Sequence, residues 1–174
     1  MRLQGKRIAV FVEQEFEDLE YWVTVMRLQE EGAQVVAVGT GSAAEYRGKG
    51  GLKARPDTTA DQVQAAEFDA VVVPGGWCPD KLRRSESVLS LVREAYQAGK
   101  IVAAICHGGW VLISAGIVRG HKATGSVGIK DDLINAGAEW VDAPALRDGQ
   151  LVWGRVVADI PAFCRELVNA LAEG

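Results

Sequence analysis

Histidine is scarce in this 174-residue chain, with two positions, and cysteine hardly commoner, with three. Neither His107 and His121 nor Cys78, Cys106 and Cys164 fall into a metal-ligand spacing, so the sequence predicts no metal and no other cofactor. An odd number of cysteines without a Cys-x-x-Cys pair also argues against a disulfide framework and points to a reducing cytoplasm. Positive charge is in deficit too. The 19 Lys and Arg are scattered and outnumbered by 23 Asp and Glu, giving a net charge of −4 and no face for nucleic acid. No stretch of about 18 apolar residues is present to cross a membrane. The first residues, MRLQGKRIAVFVEQ, lack the apolar core of about 7–15 residues that a secretory signal needs. The turn VEQEFEDLE after the first apolar run contains no glycine, which disfavours a dinucleotide-binding loop.

What is present is ample apolar material, 48% of the residues, in a length that suits one core, so 1–174 reads as a single domain. Continuous β-branched runs at 6–13, 33–41, 69–76 and 101–106 are the pattern of strands buried on both faces. Helical spacing follows the first, with Leu19, Trp22, Val23, Met26 and Leu28 predicted as the inward face, and recurs at 85–100, where Ser85 or Ser87 is the N-cap. A shorter helix is predicted at 108–116, and residues 43–63 read as a glycine-punctuated loop or hairpin with short strands. The last third predicts a helix, two short strands turning at Asp148-Gly149, and a terminal helix from about 158 to 172. This alternation implies a doubly wound, mostly parallel α/β sheet sandwiched by helices.

Ligands of such sheets bind beyond the carboxyl ends of the strands, where Cys106 sits in VAAICHGGW. Gly108 and Gly109 suit a sharp strand-turn-helix elbow, and the amide groups of the helix start favour the thiolate. Cys106 is therefore read as a nucleophile, Cys164 as an inert core residue, and Cys78 as a neutral pocket or interface residue. His107 is adjacent in sequence, so its side chain need not meet the sulfur, while His121 reads as a surface loop residue. Glu17 and Glu20, three apart at the end of the first strand, point the same way. A carboxyl there with a raised pKa suits proton transfer, although acidity at a helix N-terminus is also favoured by the dipole alone. The amides of Gly75, Gly76 and His107 are candidate oxyanion donors.

EFEDLE, VVPGG, AAICHG and GIKDDLINAGAEWVD, in this order and spacing, resemble the ThiJ/PfpI superfamily, PfpI-type branch, across nearly the whole chain. The resemblance implies a flavodoxin-like sandwich related to class I glutamine amidotransferases, assembled as a homodimer or homohexamer. It implies Cys106 as nucleophile, His107 as its partner and Glu20 as the carboxylate on the thiol, with Glu17 nearby. It further implies that Asp80 of a neighbouring subunit completes a Cys-His-acid arrangement. Trp77, Cys78 and Ser126 stand at pocket positions, Ser126 where some relatives carry an aromatic residue, and Val157 replaces a proline.

Three functions fit. The first is a stress-protection enzyme acting on small reactive aldehydes or their protein adducts, of glutathione-independent glyoxalase or deglycase type. The others are a PfpI-type cysteine peptidase and a redox-sensing or chaperone-like protein whose Cys106 is oxidised.

Overall fold

Valine-rich runs with no polar interruption need apolar cover on both faces, and the chain provides it with two helical layers. The computed structural model describes all 174 residues. The strands are β1 (Arg7–Phe11), β2 (Gln34–Gly39), β3 (Tyr46–Arg47), β4 (Lys53–Ala54), β5 (Thr58–Thr59) and β6 (Ala70–Val73). They continue with β7 (Ile101–Ile105), β8 (Lys122–Ala123), β9 (Glu139–Trp140), β10 (Ala145–Asp148) and β11 (Leu151–Gly154). The helices are α1 (Asp18–Glu30), α2 (Cys78–Leu82), α3 (Glu86–Gln97), α4 (Gly109–Ser114), α5 (Lys130–Asn135) and α6 (Ile160–Glu173).

Seven strands form the main sheet in the order β10-β11-β7-β6-β1-β2-β5. All neighbours run parallel except the edge strand β10, which pairs antiparallel with β11 through the Asp148-Gly149 turn. Gly149 has φ +59°, a conformation that glycine adopts without strain. Helices α1 and α6 pack together on one face, with α3 and α4 on the other. Between them lies one continuous apolar core of 53 buried residues. The expected α/β sandwich is present, and Ser85, of the two predicted serines, caps α3 by accepting from Val88 N–H.

The inward face of α1 differs from the prediction. Leu19, Val23 and Met26 are 47%, 39% and 59% exposed, whereas Glu20, Tyr21, Thr24, Val25 and Leu28 are buried. The helix is rotated because its first turn must aim Glu20 into the sheet, and Thr24, one turn on, then meets Cys164 of α6 at 3.8 Å. Periodicity identified the helix, but a functional carboxyl decided which side faces the core.

That rotation has a measurable consequence. In urea denaturation Leu28→Ala should destabilise the protein by about 2–5 kcal/mol, while Met26→Ser should stay within about 0.5 kcal/mol of the parent.

Candidate active site

The elbow after β7 concentrates its strain in one residue. Ile105 is still extended, and Cys106 then takes φ +61°, one of only two non-glycine residues with positive φ. Such a conformation costs on the order of 1–3 kcal/mol and is held only where the surroundings over-determine it. Gly108 and Gly109 have ordinary helical angles, contrary to the expectation that they make the turn. Their role is close approach: a Cβ on Gly108 would lie 2.6 Å from Val73 O, and one on Gly109 2.9 Å from Ile129 Cδ1.

Glu20 reaches this elbow from α1. Its Oε1 accepts from Gly75 N–H at 3.0 Å, and its fully buried Oε2 has no hydrogen-bond partner. The Cys106 thiol lies near this carboxyl and favours its ionised form. Gly75 separates the two, and a Cβ there would stand 2.4 Å from Glu20 Oε1 and 2.7 Å from Cys106 Cβ. Only glycine permits the contact. Burial first, then the nearby Glu17 charge, pushes the Glu20 carboxyl up to about 8.

Burial and the Glu20 charge also push the Cys106 thiol up to about 12, against the opposing hydrogen bonds of the His107 and Gly76 amides. The sulfur is therefore protonated at rest, where the sequence alone favoured a standing thiolate. Desolvation outweighs the amides because the sulfur lies in the angle between two strand ends. The expected three-amide oxyanion hole is likewise reduced, since Gly75 N–H is engaged by Glu20 and only Gly76 and His107 face the sulfur.

His107 does meet the thiol: its Nδ1 is 3.3 Å from Cys106 Sγ, and its Nε2 makes no hydrogen bond. Burial lowers its pKa, followed by the charge of Lys49. The ring stands between two indoles, Trp77 and Trp110, each with its centroid 5.0 Å away. Trp110 is itself fixed by donating to Asp132 at 2.8 Å and by Arg83 over its ring at 5.5 Å. Sequence reasoning missed Trp110, whose signal was its place one turn along from the histidine in CHGGW.

A cavity of about 290 Å³ opens over this group, lined by Glu17, Glu20, Lys49, Gly76, Trp77, Cys106, His107 and Val156–Ala158. Glu17 combines both of its predicted readings, since it caps α1 by accepting Glu20 N–H at 2.8 Å and also lines the cavity. Lys49 was not anticipated. It rides on the β3–β4 loop, which Asp18 clamps by accepting Gly50 N–H at 2.6 Å and Leu52 N–H at 2.7 Å. A Cβ on Gly48 would fall 2.5 Å from that carboxylate, so the glycines around Lys49 mark a loop wrapped on Asp18.

Other predicted residues lie outside the cavity. Ser126 touches the site through its backbone, donating N–H to Cys106 O at 3.3 Å. Asp80 lies on α2, pairs with Arg84 at 2.6 Å and does not reach His107 of its own chain. Cys78 is fully buried beneath the Pro-Gly-Gly loop, 3.5 Å from Gly75 O, instead of lining the pocket. Cys164 is a core residue, as read. His121 is no loose surface residue: it bridges Tyr96 at 2.7 Å and Asp148 at 3.1 Å, far from Cys106 along the chain.

The pair of raised groups predicts the pH dependence. Alkylation of Cys106 by iodoacetamide, followed by intact mass, should rise with pH through an inflection near 8, where the Glu20–Cys106 pair loses its first proton. Glu20→Gln should abolish that inflection; its survival would assign control to another group.

The chain matches the DJ-1/PfpI family over residues 6–170. It is 47% identical over 157 residues to Deglycase PH1704 of Pyrococcus horikoshii, covering 90% of this chain and 94% of that one. It is 40% identical over 167 residues to the Putative cysteine protease YraA of Bacillus subtilis, covering 96% of this chain and 99% of that one. Among solved structures, the DJ-1/ThiJ/PfpI-like and ferritin-like two-domain protein of Anabaena variabilis superposes with a TM-score of 0.94 at 40% identity. That match covers 96% of this chain and 48% of that longer one. Drosophila melanogaster DJ-1beta superposes with a TM-score of 0.90 at 27% identity, covering 98% of this chain and 92% of that one. With the buried carboxyl, the strained cysteine and the histidine in place at the strand ends, this chain belongs to the DJ-1/PfpI family.

Proposed function

We propose that this chain is a cofactor-independent, cysteine-dependent stress-protection enzyme acting on small reactive aldehydes or their adducts with proteins. The observation that carries this reading is the Glu20–Cys106–His107 constellation at the base of an open cavity. Deglycase is the printed name of the Pyrococcus relative, and the Escherichia coli Protein/nucleic acid deglycase 2 is 39% identical over 169 residues. A buried carboxyl poised near 8 is a suitable acceptor and donor for one shuttled proton.

With an α-oxo aldehyde the sulfur adds to the aldehyde carbon. The S–C bond forms, the C=O π bond opens, and the thiol proton reaches the new oxygen through Glu20. The resulting hemithioacetal loses the proton on that carbon to Glu20 or His107. Transfer of the hydroxyl proton to the neighbouring oxygen, with return of a proton to the adjacent former carbonyl carbon, gives a 2-hydroxy thioester. Water then cleaves the S–C bond, freeing the 2-hydroxy acid and restoring the thiol. No external oxidant or reductant enters, because the aldehyde carbon is oxidised as its neighbour is reduced. Peptide hydrolysis, suggested by the protease name of YraA, is less well served, because the amide of Gly75 is held by Glu20. Cys106→Ala should lose at least about 100-fold in methylglyoxal turnover, the scale of a deleted nucleophile; wild-type turnover in that variant would end the reading.

Assembly enters the same site. His107 Nε2 makes no hydrogen bond, and Asp80 is half-exposed on the adjoining helix, which supports Asp80 of a second copy as the acid for His107. A homodimer or homohexamer satisfies this, and three free cysteines suit a cytoplasmic setting. Asp80→Asn and Cys106→Ala should each be inactive, and mixing them should restore turnover in heteromers that combine an intact Cys106 with a partner's Asp80. Failure of exchanged mixtures to regain activity would confine the site to one chain.

A further inference from the structure

The cavity over Cys106 has a mixed lining, charged at Lys49 and Glu17 and apolar at Trp77, Val156, Val157 and Ala158. Trp77, Val156 and Val157 are 47%, 38% and 37% exposed, although large apolar side chains at the carboxyl ends of strands are readily buried by neighbouring loops. They are left open beside the one sulfur that an entering ligand can reach. Their backbone is fixed as well. Trp77 N–H donates to Glu15 O at 2.9 Å, and the preceding Gly76 holds φ +79° where a Cβ would meet Glu15 O and Glu17 N at 2.5 Å. Val156 is fully extended at φ −151° and leads into a single 3-10 turn before α6. The wall is thus preformed, with the Trp77 ring tilted against His107, 47% exposed and lining the cavity.

We propose that Trp77, Val156 and Val157 form a substituent subsite that selects carbonyl compounds bearing an aromatic or branched aliphatic group over those bearing hydrogen or methyl. This deepens the aldehyde reading and rests on it for turnover, but the subsite itself concerns any electrophile at Cys106. When the sulfur bonds to the reactive carbon, the substituent one carbon away lies within the cavity and packs against either its charged or its apolar lining. Only the apolar lining recovers the transfer free energy of a phenyl or isobutyl group. A single extra apolar group in a matched pocket gives about 10–200-fold discrimination.

The test uses two neutral α-bromoketones, phenacyl bromide and bromoacetone, which differ in phenyl against methyl. Each alkylates the thiol as the S–C bond forms, bromide leaves and the proton passes to Glu20 or solvent. Rates at Cys106 are followed by intact mass and divided by rates with a free small thiol, which removes intrinsic reactivity. The parent should favour phenacyl bromide by about 10-fold or more after that correction. Trp77→Ala and, separately, Val157→Asn at a half-open position should each lower the preference several-fold, with circular dichroism confirming the fold. A corrected preference near one in the parent, or one unchanged in both variants, would overturn the subsite. Burial of the wall by a second copy would give that same flat result and would likewise overturn it. In parallel, kcat/KM for phenylglyoxal and glyoxal is measured. A protein that prefers phenacyl bromide yet turns over neither aldehyde retains the subsite and loses only the aldehyde function.

Discussion

One buried contact organises this molecule: the carboxyl of Glu20 beside the sulfur of Cys106, with the backbone of Gly75 between them. The contact dictates that position 75 be glycine, that α1 turn a polar edge inward, and that the elbow accept a positive φ at cysteine. It also fixes the electrostatics. A carboxylate that deep, with one oxygen unpartnered, would be expensive to ionise, so it keeps its proton to about pH 8.

The sheet explains why such distant residues can converge. β1, β6, β7 and β11 are neighbours in a parallel array, so their carboxyl ends open on one side. β1 leads to Glu17 and Glu20, β6 to Gly75 through Trp77, β7 to Cys106 and His107, and β11 to Val156 and Val157. Lys49 alone comes from elsewhere. Its loop has no sheet to hold it, and Asp18 supplies the anchor by taking two backbone N–H groups from the glycine-rich turn. Asp18 faces the loop and Glu20 the sheet because helical positions two apart diverge by about 200°.

Much of this was legible in the sequence because it depends on local rules. Buried strands show as uninterrupted β-branched runs, and the order of runs and helices restricts the topology to a parallel sandwich. The cysteine stands out by its place at a strand end, whereas the family resemblance alone singled out Glu20 from Glu17 and made His107 the partner. What was not legible depends on three-dimensional competition. The apolar stripe of Leu19, Val23 and Met26 outweighs Glu20 and Thr24 on any hydropathy count, yet the polar residues are the buried ones. The protonation of Cys106 turns on how deeply the sulfur is desolvated, which no spacing encodes. Trp110 and Lys49 belong to the site only through side chains crossing between elements. The bridge of His121 to Tyr96 and Asp148 likewise joins segments with no common sequence pattern.

The same contact sets the fold against its function as pH rises. Glu20 titrates at its ordinary value, 4.5, in the unfolded chain and near 8 when folded, so the folded state binds the proton more tightly. Its contribution is fully present below about 4.5 and is lost as pH climbs through about 8, the range in which the base form needed for chemistry appears. Added to the strained backbone of Cys106, this makes the strand-end region the part of the molecule that stability alone would not choose. The apolar core extending over both faces of the sheet offsets it, and the rigidity of that core is what holds an unfavourable carboxyl and an unfavourable φ within reach of each other.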